Sequence, residues 1–317
     1  MQPRPQVYVT PQPPVRRPRR RKFLGMRCGT WVFGCVALMM SMACLCGATV
    51  VLYVAAPPPK TNILVVGLDA RPGDALEIAR TDTVMIMSVD PENRRVSLFS
   101  IPRDVYIDTP NYGKIPINII ARNAELDNPG TGMIELMTSI ENEFAINIHH
   151  YVRMDFDAVV DVVDAVGGVE IDVPKRIVDY SYPTEDYGTI TIEFDPGVQH
   201  MDGETALIYS RTRHSDDDYN RAGRQQQVMQ AVVKKMMSPG GLVRIPAVLS
   251  ALSSHTESDM SLGHYLQVAP GIGLYGRGNS VEQLVLTREY LIVIGPSQVE
   301  PDPFDAQLNE WLDTHLR

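Results

Sequence analysis

Four arginines, Arg211, Arg213, Arg221 and Arg224, crowd the run YSRTRHSDDDYNRAGRQ between Tyr209 and Gln225. Guanidinium groups are rigid forks that match two phosphate oxygens at once, whereas lysine offers a mobile point charge. The residues from Lys60 onward carry 21 Lys+Arg (the chain's 29 less the eight in 1–27) against all 38 Asp+Glu, a net charge of −17. Bulk charge of that sign repels a polyanion, so an anionic ligand has to be gripped by a local cluster. A phosphate-rich substrate fits the contrast.

The residue pattern predicts a helix from about Tyr219 to Met237, with Val228, Met229, Val232, Val233 and Met236 as its apolar stripe. Counting back by 3.6 residues places Arg221, Gln225 and, less squarely, Arg224 on the side of Val228 and Val232. Arginines in a first helical turn oppose the positive end of the helix dipole, at a cost of about 0.3–1 kcal/mol unless anions are near. Phosphate would supply them, and Asp216, Asp217 and Asp218 just upstream are the alternative partners.

A second centre is Leu68-Asp69-Ala70-Arg71 followed by Ala79-Arg80-Thr81-Asp82. Asp69 ends one expected strand and Asp82 precedes the next, and ligands of open α/β sheets gather outside strand ends. Two hard carboxylates with open coordination positions suit magnesium bridging a pyrophosphate, whereas zinc favours histidine or thiolate. Turn formation is the alternative role for these aspartates. No GxSxG or Ser-His-Asp pattern is present, and the seven histidines show no zinc spacing.

The elements that must position these groups read as α/β. Strands are expected at 62–68, 83–89, 96–101, 169–173, 189–194 and 291–294. Helices are expected at 132–144, 156–166 (capped by Asp155), from Asp202 through Tyr209, 219–237, 242–253, 262–268 and 303–316.

Residues 1–30 form a Pro- and Arg-rich tail without acid, expected to be disordered. Residues 31–54 are 24 uncharged residues, about 36 Å of helix, enough to span a hydrocarbon core of about 30 Å. The cluster RRPRRRK at 16–22 precedes it, which places the N-terminus in the cytoplasm and the rest outside, with no nucleic-acid partner. The stretch exceeds a signal-peptide core and reads as an uncleaved anchor. All four cysteines, Cys28, Cys35, Cys44 and Cys46, lie in or beside it, so the outer part has no disulfide framework. A linker at 55–61, a catalytic domain at 62–240 and a completing C-terminal part at 241–317 follow.

The stretches NILVVGLDARPG (62–73), RTDTVMIMSVDP (80–91), VSLFSIPRDVYIDTP (96–110), GGVEIDVP (167–174), GVQHMDGETALIYSRTRH (197–214) and DYNRAGRQQQV (218–228) together resemble the LytR-CpsA-Psr family over roughly 60–237. The resemblance implies an α-β-α sandwich with a central mixed sheet behind one transmembrane helix. It also implies a magnesium-dependent phosphotransferase that moves a glycopolymer from a polyprenyl-pyrophosphate carrier onto peptidoglycan, with the prenyl chain in an apolar tunnel. In that family's pattern Asp69 and Asp82 match the metal-associated aspartates. Arg80, Arg103, Arg211, Arg213 and Arg221 match pyrophosphate-binding arginines, Asp218 and Gln225 match polar members of the pocket, and Arg71 and Arg224 sit at motif positions. The segment Lys114-Ile-Pro-Ile-Asn118 departs from the pattern by Pro116.

In the implied reaction a glycan hydroxyl attacks phosphorus, with Asp104 or Asp218 to take its proton. A polyprenyl-pyrophosphate hydrolase needs the same pocket with water as nucleophile, and a non-enzymatic lipid-binding regulator of the envelope needs only the pocket. A cytoplasmic part of about 30 residues is too short for a DNA-binding domain of ~50 or more.

Overall fold

The computed structural model describes residues 28–69, 79–184, 188–212, 218–236, 238, 240, 244, 247, 248, 250, 251, 256–276, 281–296 and 298–317. Side chains of 28–33, 43, 45, 46, 49, 69, 218 and 219 lie outside the description. The chain divides between Val51 and Leu52 into two units. In the first begins α1 (Cys28–Ala55), over the stretch expected to span a membrane. Among the described residues no helix is long and apolar enough to cross a membrane. The expected tail lies outside the described residues up to position 27, as does most of the expected helix at 242–253.

The second unit is built from β1 (Thr61–Asp69), β2 (Arg80–Asp90), β3 (Arg95–Ile101), β4 (Tyr106–Thr109), β5 (Gly113–Pro116), α2 (Ile117–Asp127), α3 (Gly132–Phe144), β6 (His150–Met154), α4 (Phe156–Ala165), β7 (Val169–Val173), β8 (Ile177–Pro183), β9 (Thr189–Phe194), β10 (Gly197–Met201), α5 (Gly203–Arg211), α6 (Asp218–Met236), β11 (Thr256–Ser258), α7 (Leu262–Tyr275), β12 (Val281–Val285), β13 (Leu291–Gly295), β14 (Gln298–Pro301) and α8 (Ala306–His315). Six strands form one mixed sheet in the order β11-β6-β1-β2-β3-β12. β1, β2 and β3 run antiparallel in turn, while β6 joins β1 and β12 joins β3 in parallel.

Strand β1 reads as a near-continuous apolar run because both its faces are covered. Leu64, Val66 and Leu68 point into a cluster with Ile86, Phe99 and residues of α2, α3 and α8, whereas Ile63 and Val65 join Met85, Leu98 and Val268 of α7 on the other face. Residues 241–317 supply both edge strands and two of the covering helices, so they are part of the same body. Helix α7 continues seven residues past the expected end at Val268, through Pro270, because packing of Val268 and Ile272 on the sheet outweighs the loss of one helical hydrogen bond.

Two local devices fix α5, which carries Arg211. Asp202 caps it, accepting from the Thr205 N–H at 2.9 Å, and the Gly203 N–H reaches Asp164 Oδ1 at 2.7 Å. A Cβ on Gly203 would collide with the Val160 carbonyl of α4. Gly203→Ala is therefore expected to cost about 1–3 kcal/mol in urea unfolding. Asp202→Ala should cost about 0.5–2 kcal/mol. The bonds from Thr205 hold the Asp202 carboxyl below its usual 3.8. Its contribution is accordingly full above pH ~4 and fades as pH falls through the depressed value, so the Asp202→Ala deficit should shrink in acid.

Candidate active site

The antiparallel pairing of β1 and β2 slips at one point: Gly67 faces Thr83 and Leu68 faces Thr81, leaving Asp82 as the extra residue of a bulge, one pair from Asp69 opposite Arg80. Bulges re-aim side chains, and here the re-aimed group is a carboxylate. Asp82 Oδ2 accepts from Arg103 Nη1 at 2.8 Å, with both side chains about four-fifths buried (18% and 19% exposed). Asp104 lies beside the same guanidinium, 3.6 Å from Nε, and is 60% exposed.

Arg103 follows β3 across Pro102, and helix α2 fixes its backbone. The first N–H groups of α2 lack partners inside the helix. That of Ile117 bonds the Val105 carbonyl at 2.9 Å and that of Asn118 bonds the Arg103 carbonyl at 3.3 Å. Pro116 ends β5 at the N-cap of α2, so the departure from the family pattern falls where no N–H is needed. Lys114 pairs with Asp108 and Glu300, at the far side of the β4–β5 hairpin.

Helices α5 and α6 bring the remaining arginines. Arg221 is 5% exposed and Arg224 is 4% exposed. Arg224 Nε donates to the Tyr209 carbonyl at 3.0 Å and its Nη2 to the Thr212 carbonyl, so this guanidinium holds the end of α5. Arg211 stacks over the Phe156 ring at 3.9 Å and hydrogen-bonds Tyr182. Burial pushes the Tyr182 phenol up, and the Arg211 charge and hydrogen bond pull it part of the way back. Arg80 is exposed and Gln225 half-buried. For Asp69 and Asp218 only the backbone is described, at the end of β1 and the start of α6, and Arg71 and Arg213 lie outside the described residues. Among the described residues no three His, Cys, Asp or Glu side chains converge as a metal cage.

Gln226, not singled out in the sequence, joins the two centres. It is 1% exposed and its Nε2 donates to Ser100 Oγ at 2.8 Å and to the Leu284 carbonyl at 3.2 Å. Ser100 stands three residues ahead of Arg103, so α6 with Arg221 is fastened to the strand that delivers Arg103. Asp179 was also missed. It is 1% exposed and accepts from Thr212 Oγ1 at 2.8 Å, pinning the residue after Arg211. Neither residue lies in an apolar period or a charge cluster, so the sequence carries no signal for them. On the sheet face behind α6 and α7, Met87, Leu98, Met229, Val233, Ile272 and Val281 line an apolar crevice with room for about one water molecule.

A LytR_cpsA_psr family model matches residues 54–305. The chain belongs to the LytR-CpsA-Psr family. It is 30% identical over 203 residues to a protein of Oceanobacillus iheyensis named polyisoprenyl-teichoic acid–peptidoglycan teichoic acid transferase TagU, covering 63% of this chain and 59% of that one. It is also 30% identical over 220 residues to a Staphylococcus aureus protein named regulatory protein MsrR, covering 68% and 62%. The matches thus span about three fifths of the length of these relatives. The crystal structure of Bacillus subtilis TagV superposes with a TM-score of 0.63 at 27% identity, over 81% of this chain and 97% of that one.

Gln226→Ala strips the Ser100 hydroxyl and Leu284 carbonyl of a buried partner. It is expected to lower stability by about 1–3 kcal/mol in urea unfolding, against less than about 0.5 kcal/mol for Gln225→Ala one position away.

Proposed function

We propose that this protein transfers a glycopolymer from a polyprenyl-pyrophosphate carrier to a peptidoglycan hydroxyl, outside the cytoplasmic membrane, to which residues 31–54 anchor it with the N-terminus in the cytoplasm. The observation that carries this reading is Arg103, held 2.8 Å from the bulged Asp82 on a strand to which the Arg221 helix is fastened by Gln226. Family membership and the relative named as a teichoic acid transferase support it.

Arg80, Arg103, Arg211 and Arg221 are assigned to the non-bridging oxygens of the diphosphate, with Arg71, Arg213 and Gln225 in the same group. Arg224, engaged with two carbonyls, positions α5 against α6. The acceptor oxygen forms a bond to the phosphorus next to the sugar while the bond from that phosphorus to polyprenyl phosphate breaks, and polyprenyl phosphate leaves with the electron pair. The hydroxyl proton goes to Asp104 or Asp218, of which Asp104 stands exposed beside Arg103, open to a bulky glycan. Catalysis of this kind is mostly positioning and charge neutralisation, and one such donor is worth roughly 10²–10³ in rate.

Asp69 and Asp82 are assigned to magnesium. They are two hard oxygen donors on neighbouring strand ends, and a magnesium ion would need only one or two such carboxylates from the protein. When bound it would draw charge from the same phosphate oxygens. The prenyl chain is assigned to the sheet face with the apolar crevice, which has to widen to admit it.

The test is turnover by the full chain in vesicles holding a polyprenyl-pyrophosphate-linked glycan, with and without peptidoglycan acceptor. Arg103→Ala is expected to lower acceptor-dependent release of polyprenyl phosphate by about 10²–10³-fold. Release at equal rate without acceptor would make the protein a hydrolase. Carrier binding with no turnover in the unaltered chain would make it a regulator, in keeping with one relative's name.

A further inference from the structure

Helix α7 is apolar on the side that the sheet leaves uncovered. Its sequence LGHYLQVAPGIGLY contains no Asp, Glu, Lys or Arg. Val268, Ile272 and Tyr275 pack inward on the sheet. Leu262, Leu266, Pro270 and Leu274 recur every fourth residue along another side, where Leu262 is 70% and Leu266 66% exposed. A helix facing only water carries charge on its outer face, and contiguous exposed leucines mark a surface that meets something apolar.

Tyr53 identifies what that is. It lies in the last turn of α1, at the outer end of the expected span, and tyrosines favour the membrane–water boundary. Its side chain packs on α7: a Cβ at Gly271 would come within 2.6 Å of the Tyr53 hydroxyl. The six steps from Ala55 to Thr61, with three consecutive prolines, span about 19 Å in polyproline II form. Helix α7 is therefore seated against the point where the chain would leave a bilayer.

We propose that the Leu262–Leu266–Leu274 face of α7 lies in the lipid–water interface of the membrane that anchors the chain. The proposal rests on reading residues 31–54 as a membrane anchor and is independent of the transferase assignment. An uncharged face of this kind binds through apolar burial rather than headgroup charge, so docking should survive high salt. It also sets the crevice lined by Ile272 beside the lipid from which a prenyl chain would come.

The test uses the full chain with Cys28, Cys35, Cys44 and Cys46 replaced by serine and a single new cysteine, Leu266→Cys, bearing an environment-sensitive NBD fluorophore. It is reconstituted in vesicles of phosphatidylglycerol and phosphatidylethanolamine containing a lipid with a spin label on its acyl chain. Leu262→Cys is a second probe, and Val198→Cys, 70% exposed on β10, is the water-facing control. The expected result is blue-shifted emission and strong quenching at 262 and 266 but not at 198, unchanged in 0.5 M salt. Emission at 262 and 266 equal to that at 198, in vesicles that keep the chain through an alkaline wash, overturns the proposal while leaving the anchor intact. Loss of the chain in that wash removes the anchor, and the proposal with it.

Discussion

A guanidinium that is four-fifths buried needs an anion, and Asp82 supplies it to Arg103 across 2.8 Å. Everything around this pair serves to hold its two backbones still. The β1–β2 bulge aims Asp82, α2 fastens the carbonyls of Arg103 and Val105, and Gln226 grips the strand three residues earlier. An arginine left unpaired there would cost several kcal/mol of desolvation. Pairing of this kind keeps the cation in place.

The arginines of α5 and α6 divide into two kinds by what satisfies them. Arg224 is met by backbone carbonyls and is structural glue between two helices. Arg211 lies over an aromatic face and against a phenol, partners that orient a guanidinium. A sequence in which these residues differ only by position therefore hides a difference in chemistry.

Much of the architecture is legible in the chain because it is local. The strands β1 to β3 stand out as apolar runs, and Gly132–Phe144, Val169–Val173 and Thr189–Phe194 fall within their expected limits. Strands β10 and β12 do not, since GVQHM and VEQLV are short and half polar and become strands only through partners far along the chain. The same distinction governs the site. Arg221 is buried beside Val228 as periodicity requires, but Gln225 is only half-buried and Gln226 turns inward. Helix α6 is wedged between two clusters, with Val228 and Val232 in one and Met229 in the other, so its buried arc is wider than one stripe. The bulge at Asp82 and the engagement of Arg224 depend on neighbours that no spacing rule names.

The linker enters the fold through β1, which sits inside the sheet between β2 and β6 rather than at its rim. Lys60 donates to the carbonyl of Arg317 and Asn62 to that of Leu316, so the first and last turns of the domain are clasped together. A pull on Lys60 along the strand, opposed at the Asp69 end, strains both flanking ladders in shear and all their rungs at once. A sheet entered by an edge strand would instead peel apart one rung at a time. Entry of the chain through an inner strand makes the domain resist tension applied at that end.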